Sequence, residues 1–251
     1  MNQFFDLTGK VAIVTGSSMG LGKAIAMAYG DYGADVILCA RSTDLLEEVA
    51  LKIREKGREA LVVKTDVTKK KDVDAMVAAA MGKFGKIDIL VNNSGISINN
   101  SIVHLSENDF DRVMDVNVKG YFLCAQAVGK IMTKQKSGKI INMASIFGNV
   151  SLPQTSLYTI SKAAIIGLTK ACAIEWAGLN IQVNALSPGF IDSGMGVKSK
   201  EEYGSFIEKF MPAGRYGREE EIVGAAIYLA SPVSDYTTGS VMLVDGGWSA
   251  Q

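Results

Sequence analysis

Lys10-Val-Ala-Ile-Val-Thr15-Gly16-Ser17-Ser18-Met19-Gly20-Leu21-Gly22-Lys23-Ala24-Ile25 passes from a β-branched run, through three closely spaced glycines, into an apolar helical pattern. A strand, a tight turn and a helix in that order predict the first unit of a parallel α/β sheet. Gly16, Gly20 and Gly22 carry no side chains where the helix opens. The main-chain amides there, with those of Ser18 and Leu21, can therefore approach a pyrophosphate at the helix's positive end. Their spacing, Gly-x3-Gly-x-Gly, departs from the common Gly-x-Gly-x-x-Gly dinucleotide fingerprint.

Two other chemistries compete for the same residues. Gly16-Ser17-Ser18-Met19-Gly20 satisfies the Gly-x-Ser-x-Gly nucleophile elbow, in the strand-turn-helix context that motif needs. An elbow enzyme also needs a late histidine, and the one histidine, His104, stands mid-chain. A nucleoside-triphosphatase phosphate loop would need glycine at Ser17 and a hydroxyl at Ala24. Neither alternative fits.

Beyond this unit, short β-branched runs alternate with longer amphipathic segments. Strands are predicted at 10–15, 35–40, 60–64, 87–91, 139–143, 181–186 and 241–244. Helical patterns cover 20–32, 43–56, 69–84, 107–135 (broken near Asn117), 156–178 and 219–230. Alternation of this kind predicts an α/β chain in a single-domain Rossmann fold: a doubly wound, seven-stranded parallel sheet flanked by helices, ordered 3-2-1-4-5-6 with the seventh strand at the edge. Residues 1–251 read as one dinucleotide-binding and catalytic domain, a length one core can serve. Only 192–217 interrupts the alternation. Because it follows the carboxyl end of strand six, where ligands bind in open sheets, it reads as a substrate lid; an ordinary surface loop is the plainer alternative.

Bulk properties remove several function classes. Lysine plus arginine and aspartate plus glutamate are balanced at 26 each, so no general field draws nucleic acid or an anionic membrane. Cys39, Cys124 and Cys172 are odd in number, far apart and set among apolar neighbours, which fits buried thiols in a reducing cytoplasm better than disulfides or a metal. No basic segment leads into an apolar run near the N-terminus, and no run is read as reaching the ~18 residues of a membrane span. With no histidine, cysteine and carboxylate cluster around His104, no metal is expected.

Tyr158-Thr-Ile-Ser-Lys162 carries the most specific chemistry. An unperturbed tyrosine, pKa about 10, exchanges protons poorly near neutrality unless a cation stabilises its phenolate. Positions i and i+4 share one helix face, so Lys162 can supply that cation. The spacing alone is weak in a chain with 8 tyrosines, so context must carry it. Taken singly, Ser145 reads as a cap, Asn117 as a helix break, Lys162 as an exposed cation and Pro188-Gly189 as a turn.

Taken together, the residues resemble the short-chain dehydrogenase/reductase family over nearly the whole chain. The matching series is Thr15-Gly16-x3-Gly20-x-Gly22, Asp66-Val67, Asn92-Asn93-Ser94-Gly95, Asn117, Ser145, Tyr158-x3-Lys162, Pro188-Gly189 and Asp245-Gly246-Gly247. Ser94 replaces the usual alanine and Ser193 the usual threonine, both small. The resemblance implies a catalytic tetrad of Asn117, Ser145, Tyr158 and Lys162 and an NAD(P)-dependent oxidoreductase that interconverts carbonyls and secondary alcohols. Tyr158 would be the general acid/base, and Lys162 would lower its pKa and bind the nicotinamide ribose. Ser145 would bond the substrate oxygen, and Asn117 would hold a water linking Lys162 to solvent. Asp66 and Val67 would meet adenine, Asn93 and Gly95 the adenosine ribose, and Pro188, Gly189, Ile191 and Ser193 the nicotinamide. A homotetramer packing through helices 107–135 and 156–178 is also implied.

Strand two ends at Ala40, where an NAD-preferring enzyme carries an acid, and Arg41 follows with a guanidinium suited to a phosphate. NADP(H) is therefore favoured over NAD(H), although the family's other basic position, before Gly20, is Met19. The pattern is similar to 3-oxoacyl-carrier-protein reductases, and also to sugar-acid dehydrogenases of the gluconate 5-dehydrogenase kind. Arg215 and Lys198 are candidates for meeting an anionic substrate, and Met195, Phe206, Phe210 and Met211 for an apolar lining. A catalytically silent dinucleotide-binding module is a third reading, against which the complete tetrad argues.

Overall fold

In the structure, a computed structural model that describes residues 3–251, seven strands form one sheet in which every neighbouring pair is parallel. They are β1 (Val11–Thr15), β2 (Asp35–Ala40), β3 (Ala60–Lys64), β4 (Ile89–Asn92), β5 (Gly138–Met143), β6 (Ile181–Pro188) and β7 (Val241–Val244), in the order β3-β2-β1-β4-β5-β6-β7. The expected order and edge strand are both present. β4 begins two residues later than the apolar pattern suggests. Ile87, two residues before it, donates its amide to Gln135 Oε1 at 3.1 Å and accepts from Gln135 Nε2 at 2.9 Å on its carbonyl, so a side chain takes the ladder's place there.

Parallel strands need crossover connections, and the helices that supply them cover both sheet faces. α1 (Gly20–Asp31), α2 (Thr43–Glu55) and α8 (Glu219–Ala230) meet one face, where Val14, Leu38, Val91 and Ile141 pack with Ile25, Leu46 and Ile222. α3 (Lys70–Phe84), α5 (Gly120–Gln135) and α6 (Ser156–Trp176) meet the other through Ile13, Ile37, Leu90 and Ile140. Residues 13 and 14 of one strand thus bury in opposite layers, as the period of two requires. α7 (Met195–Phe210) belongs to the 192–217 insertion.

The long helical pattern breaks where Asn117 stands. α4 (Glu107–Met114) opens with a capping box between Ser106 and Asp109, and a π-helical turn, Asp115–Lys119, separates it from α5. Together with its short 3-10 extension, α6 spans Ser156–Leu179, 24 residues containing an 18-residue stretch of mean hydropathy 1.3, which in length and composition matches a membrane span. That corrects the expectation that no segment reaches such a length. Its apolar content has a core explanation: it packs along β6 and carries Lys162 on its buried face.

Ile13 lies at 0% exposure in the strand between β2 and β4. Ile13→Ala should lower stability by about 2–5 kcal/mol, seen as a reduced urea midpoint with an unchanged m-value.

Candidate active site

The carboxyl ends of β1, β4, β5 and β6 meet at one edge, and side-chain amides and hydroxyls tie them there. Asn93, after β4, donates from Nδ2 to the carbonyls of Thr15 at 3.0 Å and Gly16 at 3.2 Å. Its own amide donates to Thr15 Oγ1 at 2.9 Å, and the Cys39 amide at the end of β2 donates to Ser17 Oγ at 3.0 Å. A side chain at Gly22 would run into Asn93 Nδ2 and the Gly16 carbonyl. Gly16 and Gly20 hold φ of +66° and +56°, which other residues adopt at a cost. α1 opens with no side-chain cap, so its first amides keep their donors for a ligand. Uncapped amides beside side-chain-free glycines fit the pyrophosphate of a nicotinamide dinucleotide.

Three of the four tetrad candidates converge beyond β5. Ser145, 7% exposed, caps a short 3-10 turn by accepting from the Phe147 amide at 3.2 Å. Its hydroxyl lies near enough to the Tyr158 phenol, in the first turn of α6, to favour the phenolate. Lys162, one turn further along and 3% exposed, is buried where the plain reading made it a surface cation. Its Nζ donates to the Met143 carbonyl at 2.6 Å and lies 5.3 Å and 5.5 Å from the ring centres of Tyr158 and Tyr121.

Asn117, the fourth, is fully buried and acts on the scaffold. It accepts from the Ile96 amide at 2.9 Å, donates to the Ile96 carbonyl at 2.9 Å, and donates its other Nδ2 proton to Ser161 Oγ at 3.0 Å. Ser161 in turn donates to the Tyr158 carbonyl at 2.7 Å. The π turn therefore presents an amide that joins the loop after β4 to the helix carrying Tyr158 and Lys162. Both amide hydrogens are thereby engaged, and Oδ1 keeps one lone pair open to a further donor such as water.

Electrostatics depart from the expected pairing. Burial pushes the Tyr158 phenol up to about 12, and the Ser145 hydrogen bond opposes that only in part. Burial likewise lowers the Lys162 ammonium to about 7. The Lys162 ammonium is directed at the Met143 carbonyl rather than the phenol oxygen.

Several other cofactor candidates make contacts within the chain itself. Ser193 donates its hydroxyl to the Glu219 carboxylate. Asp66 spends its carboxylate on the Thr68 amide at 3.1 Å and hydroxyl at 2.8 Å, and Val67 packs under Gly120. Gly95 lies beside the tetrad: a Cβ there would be 3.5 Å from Asn117 Oδ1 and 3.9 Å from Lys162 Nζ. Gly189, after Pro188, passes so close to Asp245 that a Cβ would meet its Cα at 2.7 Å. Arg41 is exposed, with no hydrogen-bond or ion-pair partner among the described residues. Next to Ala40, in register on β3, stands exposed Lys64, a second cation that periodicity did not single out.

The 192–217 segment is pinned at its base. Ile191 bridges Gly217, and the Asp192 and Gly217 amides donate to the Gly217 and Phe190 carbonyls, each at 2.9 Å. Above this, Gly20 would place a Cβ 3.3 Å from Gly194 Cα, so the segment's start stands over the glycine turn. Arg215 is committed in a fork to Glu221, at 2.8 and 2.7 Å, rather than open to a substrate anion. Phe206 and Phe210 stack on each other at 4.8 Å on the outside, whereas Met211 packs with Ile207, Tyr216 and Trp248. The side chains of Met195 and Lys198 lie outside the described residues. His104 is exposed on a short 3-10 turn, and the three cysteines are buried thiols.

Sequence reading missed Ser161, Ser17 and Tyr121. Ser161 sits inside the Tyr158-x3-Lys162 stretch, which was its available signal; Ser17 and Tyr121 act through partners distant in sequence.

Residues 16–249 match a family model described as enoyl-(acyl carrier protein) reductase. The chain is 40% identical over 243 residues to a 3-oxoacyl-[acyl-carrier-protein] reductase of Synechocystis, covering 96% of this chain and 97% of that one. A short-chain type dehydrogenase/reductase from Mycobacterium marinum superposes with TM-score 0.96 at 42% identity, covering 99% of both chains. A gluconate 5-dehydrogenase from Burkholderia cenocepacia, solved with NADP and tartrate, superposes with TM-score 0.95 at 33% identity, covering 99% of this chain and 98% of that one.

A lysine whose pKa falls on folding from 10.5 to about 7 binds fewer protons folded than unfolded between those values. Its burial therefore opposes folding fully below about pH 7, and the opposition fades as pH rises towards 10.5. Lys162→Met should raise the melting temperature of the dinucleotide-free protein more at pH 6 than at pH 9, measured by scanning calorimetry. Equal shifts at both pH values would contradict the burial of the charge.

Proposed function

The chain belongs to the short-chain dehydrogenase/reductase family, whose members bind a nicotinamide dinucleotide and interconvert CH–OH and C=O groups, and we propose that Tyr158 is the proton donor and acceptor of that reaction. The observation that supports this assignment is the convergence of Ser145, Tyr158 and Lys162 at the end of β5, braced by Asn117.

When bound, the dinucleotide supplies or accepts the hydride at the substrate carbon. In the reducing direction Tyr158 gives its phenol proton to the substrate oxygen, and in the oxidising direction it takes that proton back. Ser145 donates a hydrogen bond to the same oxygen as charge develops there. Lys162, once turned from the Met143 carbonyl towards the nicotinamide ribose, brings its positive charge to the phenolate side and offsets the burial that holds Tyr158 near 12. Asn117 fixes the height of α6 against the loop after β4 and acts as a positioning residue.

The same site supports finer readings. Gly16, Ser18, Gly20, Leu21 and Gly22 hold the pyrophosphate by main-chain amides, Gly95 and Asn93 carry the chain past the ribose, and Asp66 and Val67 flank adenine. Pro188, Gly189 and Ile191 present the main chain to the nicotinamide. NADP(H) is the favoured dinucleotide, because Arg41 and Lys64 are two exposed cations at the end of β2 and β3 where an NAD-preferring site places an acid. The substrate is a carbonyl of the 3-oxoacyl type. A sugar-acid dehydrogenase is the second reading, favoured by the likeness to the gluconate 5-dehydrogenase. The commitment of Arg215 to Glu221 weighs against it, since an anionic substrate needs an uncommitted cation.

Residues 1–251 work as one domain, with 192–217 as its lid. The outward faces of α4, α5 and α6 expose Phe110, Phe122, Ile160 and Ile174, which suits burial in a homotetramer. Three buried thiols suit a cytoplasmic protein.

Tyr158→Phe should cut turnover by ~10²- to 10⁴-fold in steady-state assays on 3-oxoacyl thioesters, ketones and sugar acids. Circular dichroism and dinucleotide affinity should stay near those of the parent; undiminished turnover refutes the assignment. NADPH should outperform NADH in kcat/KM, and Arg41→Ala should narrow that ratio. A parent preference for NADH would overturn the cofactor reading.

A further inference from the structure

The carbonyl of Met143 is where the sheet runs out of main-chain partners. β4 ends at Asn92, whose register partner is Asn142, so Met143 extends one residue past its neighbour. The next amide, of Ala144, donates to Leu186 on β6 at 2.8 Å. Successive strand residues turn their polar groups to opposite sides, so the Met143 carbonyl faces the β4 side, where the ladder has stopped. Two side chains take the ladder's place: Lys162 Nζ at 2.6 Å and Tyr121 OH at 3.1 Å. Met143 is 4% exposed and Tyr121 is 1% exposed, so water is no substitute for either donor. Tyr121 comes from α5, directly after Gly120, whose closeness to Val67 leaves no room for a Cβ without a shift.

We propose that Tyr121 is a positioning residue that holds the Met143 carbonyl when Lys162 leaves it for the dinucleotide. The inference rests on the reading that Lys162 turns to the nicotinamide ribose. With the dinucleotide absent, the carbonyl has two donors and one is dispensable. With it bound, the lysine is drawn away and Tyr121 is the donor that remains. A buried acceptor with no donor is costly, so losing the Tyr121 hydroxyl penalises the bound state and spares the free one. The Tyr121 ring lies 5.5 Å from Lys162 Nζ and gives the ammonium an aromatic face along which to shift.

Tyr121→Phe keeps the ring and removes the hydroxyl. The melting temperature of the dinucleotide-free variant should stay within about 2 °C of the parent, while its dinucleotide Kd, measured by calorimetry, rises by roughly 5- to 20-fold. Lys162→Met should weaken dinucleotide binding by itself. In the free protein it should also make stability sensitive to position 121, so that the double variant melts below the sum of the single effects. If Lys162→Met weakens binding but Tyr121→Phe leaves Kd within about twofold, the tyrosine proposal falls and the lysine reading survives. If Lys162→Met leaves Kd unchanged, both fall. A free Tyr121→Phe protein that loses as much stability as the loaded one assigns the hydroxyl a constant structural bond and overturns the proposal.

Discussion

Every strand of this sheet points the same way, and that constraint organises the rest of the molecule. Parallel pairing sends each connection back across a face, so helices cover both sides, and every strand's carboxyl end opens on one edge. The loops after β1, β4, β5 and β6 are consequently neighbours although their sequence positions run from 16 to 189. Between β1 and β4 the winding reverses, and there the crossovers leave a crevice. Asn93 fastens the two sides of that crevice by donating to the Thr15 and Gly16 carbonyls. Gly22 has to be side-chain-free because Asn93 and the Gly16 carbonyl occupy the space.

A second constraint is dryness. Lys162 is buried deeply enough that its ammonium titrates near 7, and Tyr158 deeply enough that its phenol titrates near 12. Opposed shifts on two groups one helical turn apart are a poised arrangement: each disfavours its charged form alone, and each charge would stabilise the other if both formed together. The neighbouring polar groups are bonded to one another. Asn117 serves Ile96 and Ser161, Ser161 serves the Tyr158 carbonyl, and Tyr121 and Lys162 share the Met143 carbonyl. Such a network is rigid because its buried groups are paired with one another across several elements.

Where the 192–217 segment meets this edge, its base is ordinary β structure and its helix is amphipathic. Ile191 and Gly217 close the base with main-chain hydrogen bonds, so the 16 residues of α7 hang from a fixed point above the glycine turn. The aromatic rings of Phe147, Phe190, Tyr216 and Trp248 pack edge to face beneath it, and Phe147 continues that contact to Tyr158 at 6.0 Å. Apolar packing therefore links the footing of the 192–217 segment to the Tyr158 phenol, whereas Arg215 is neutralised by Glu221 before it reaches either.

The amino-acid sequence by itself determined the alternation of strands and helices, the glycine turn and the Tyr158-x3-Lys162 pair, each a local signal, a period of two or 3.6 residues or a fixed spacing within one element. The sheet order followed from the fold class that this alternation implies, and Ser145 joined the pair only through the family resemblance. Asn117 was legible as an interruption, because a helix pattern broken in mid-run shows in the sequence. That its amide clamps Ile96 and Ser161 was not, since those partners lie 21 and 44 positions away. The same holds for Ser17 against Cys39, for Lys64 beside Ala40 and for Tyr121 beneath Met143. Only the tertiary structure decided them, because they depend on the register between strands and the height of one helix against another. That relative placement is set by the summed packing of both core layers, which no short stretch of chain encodes.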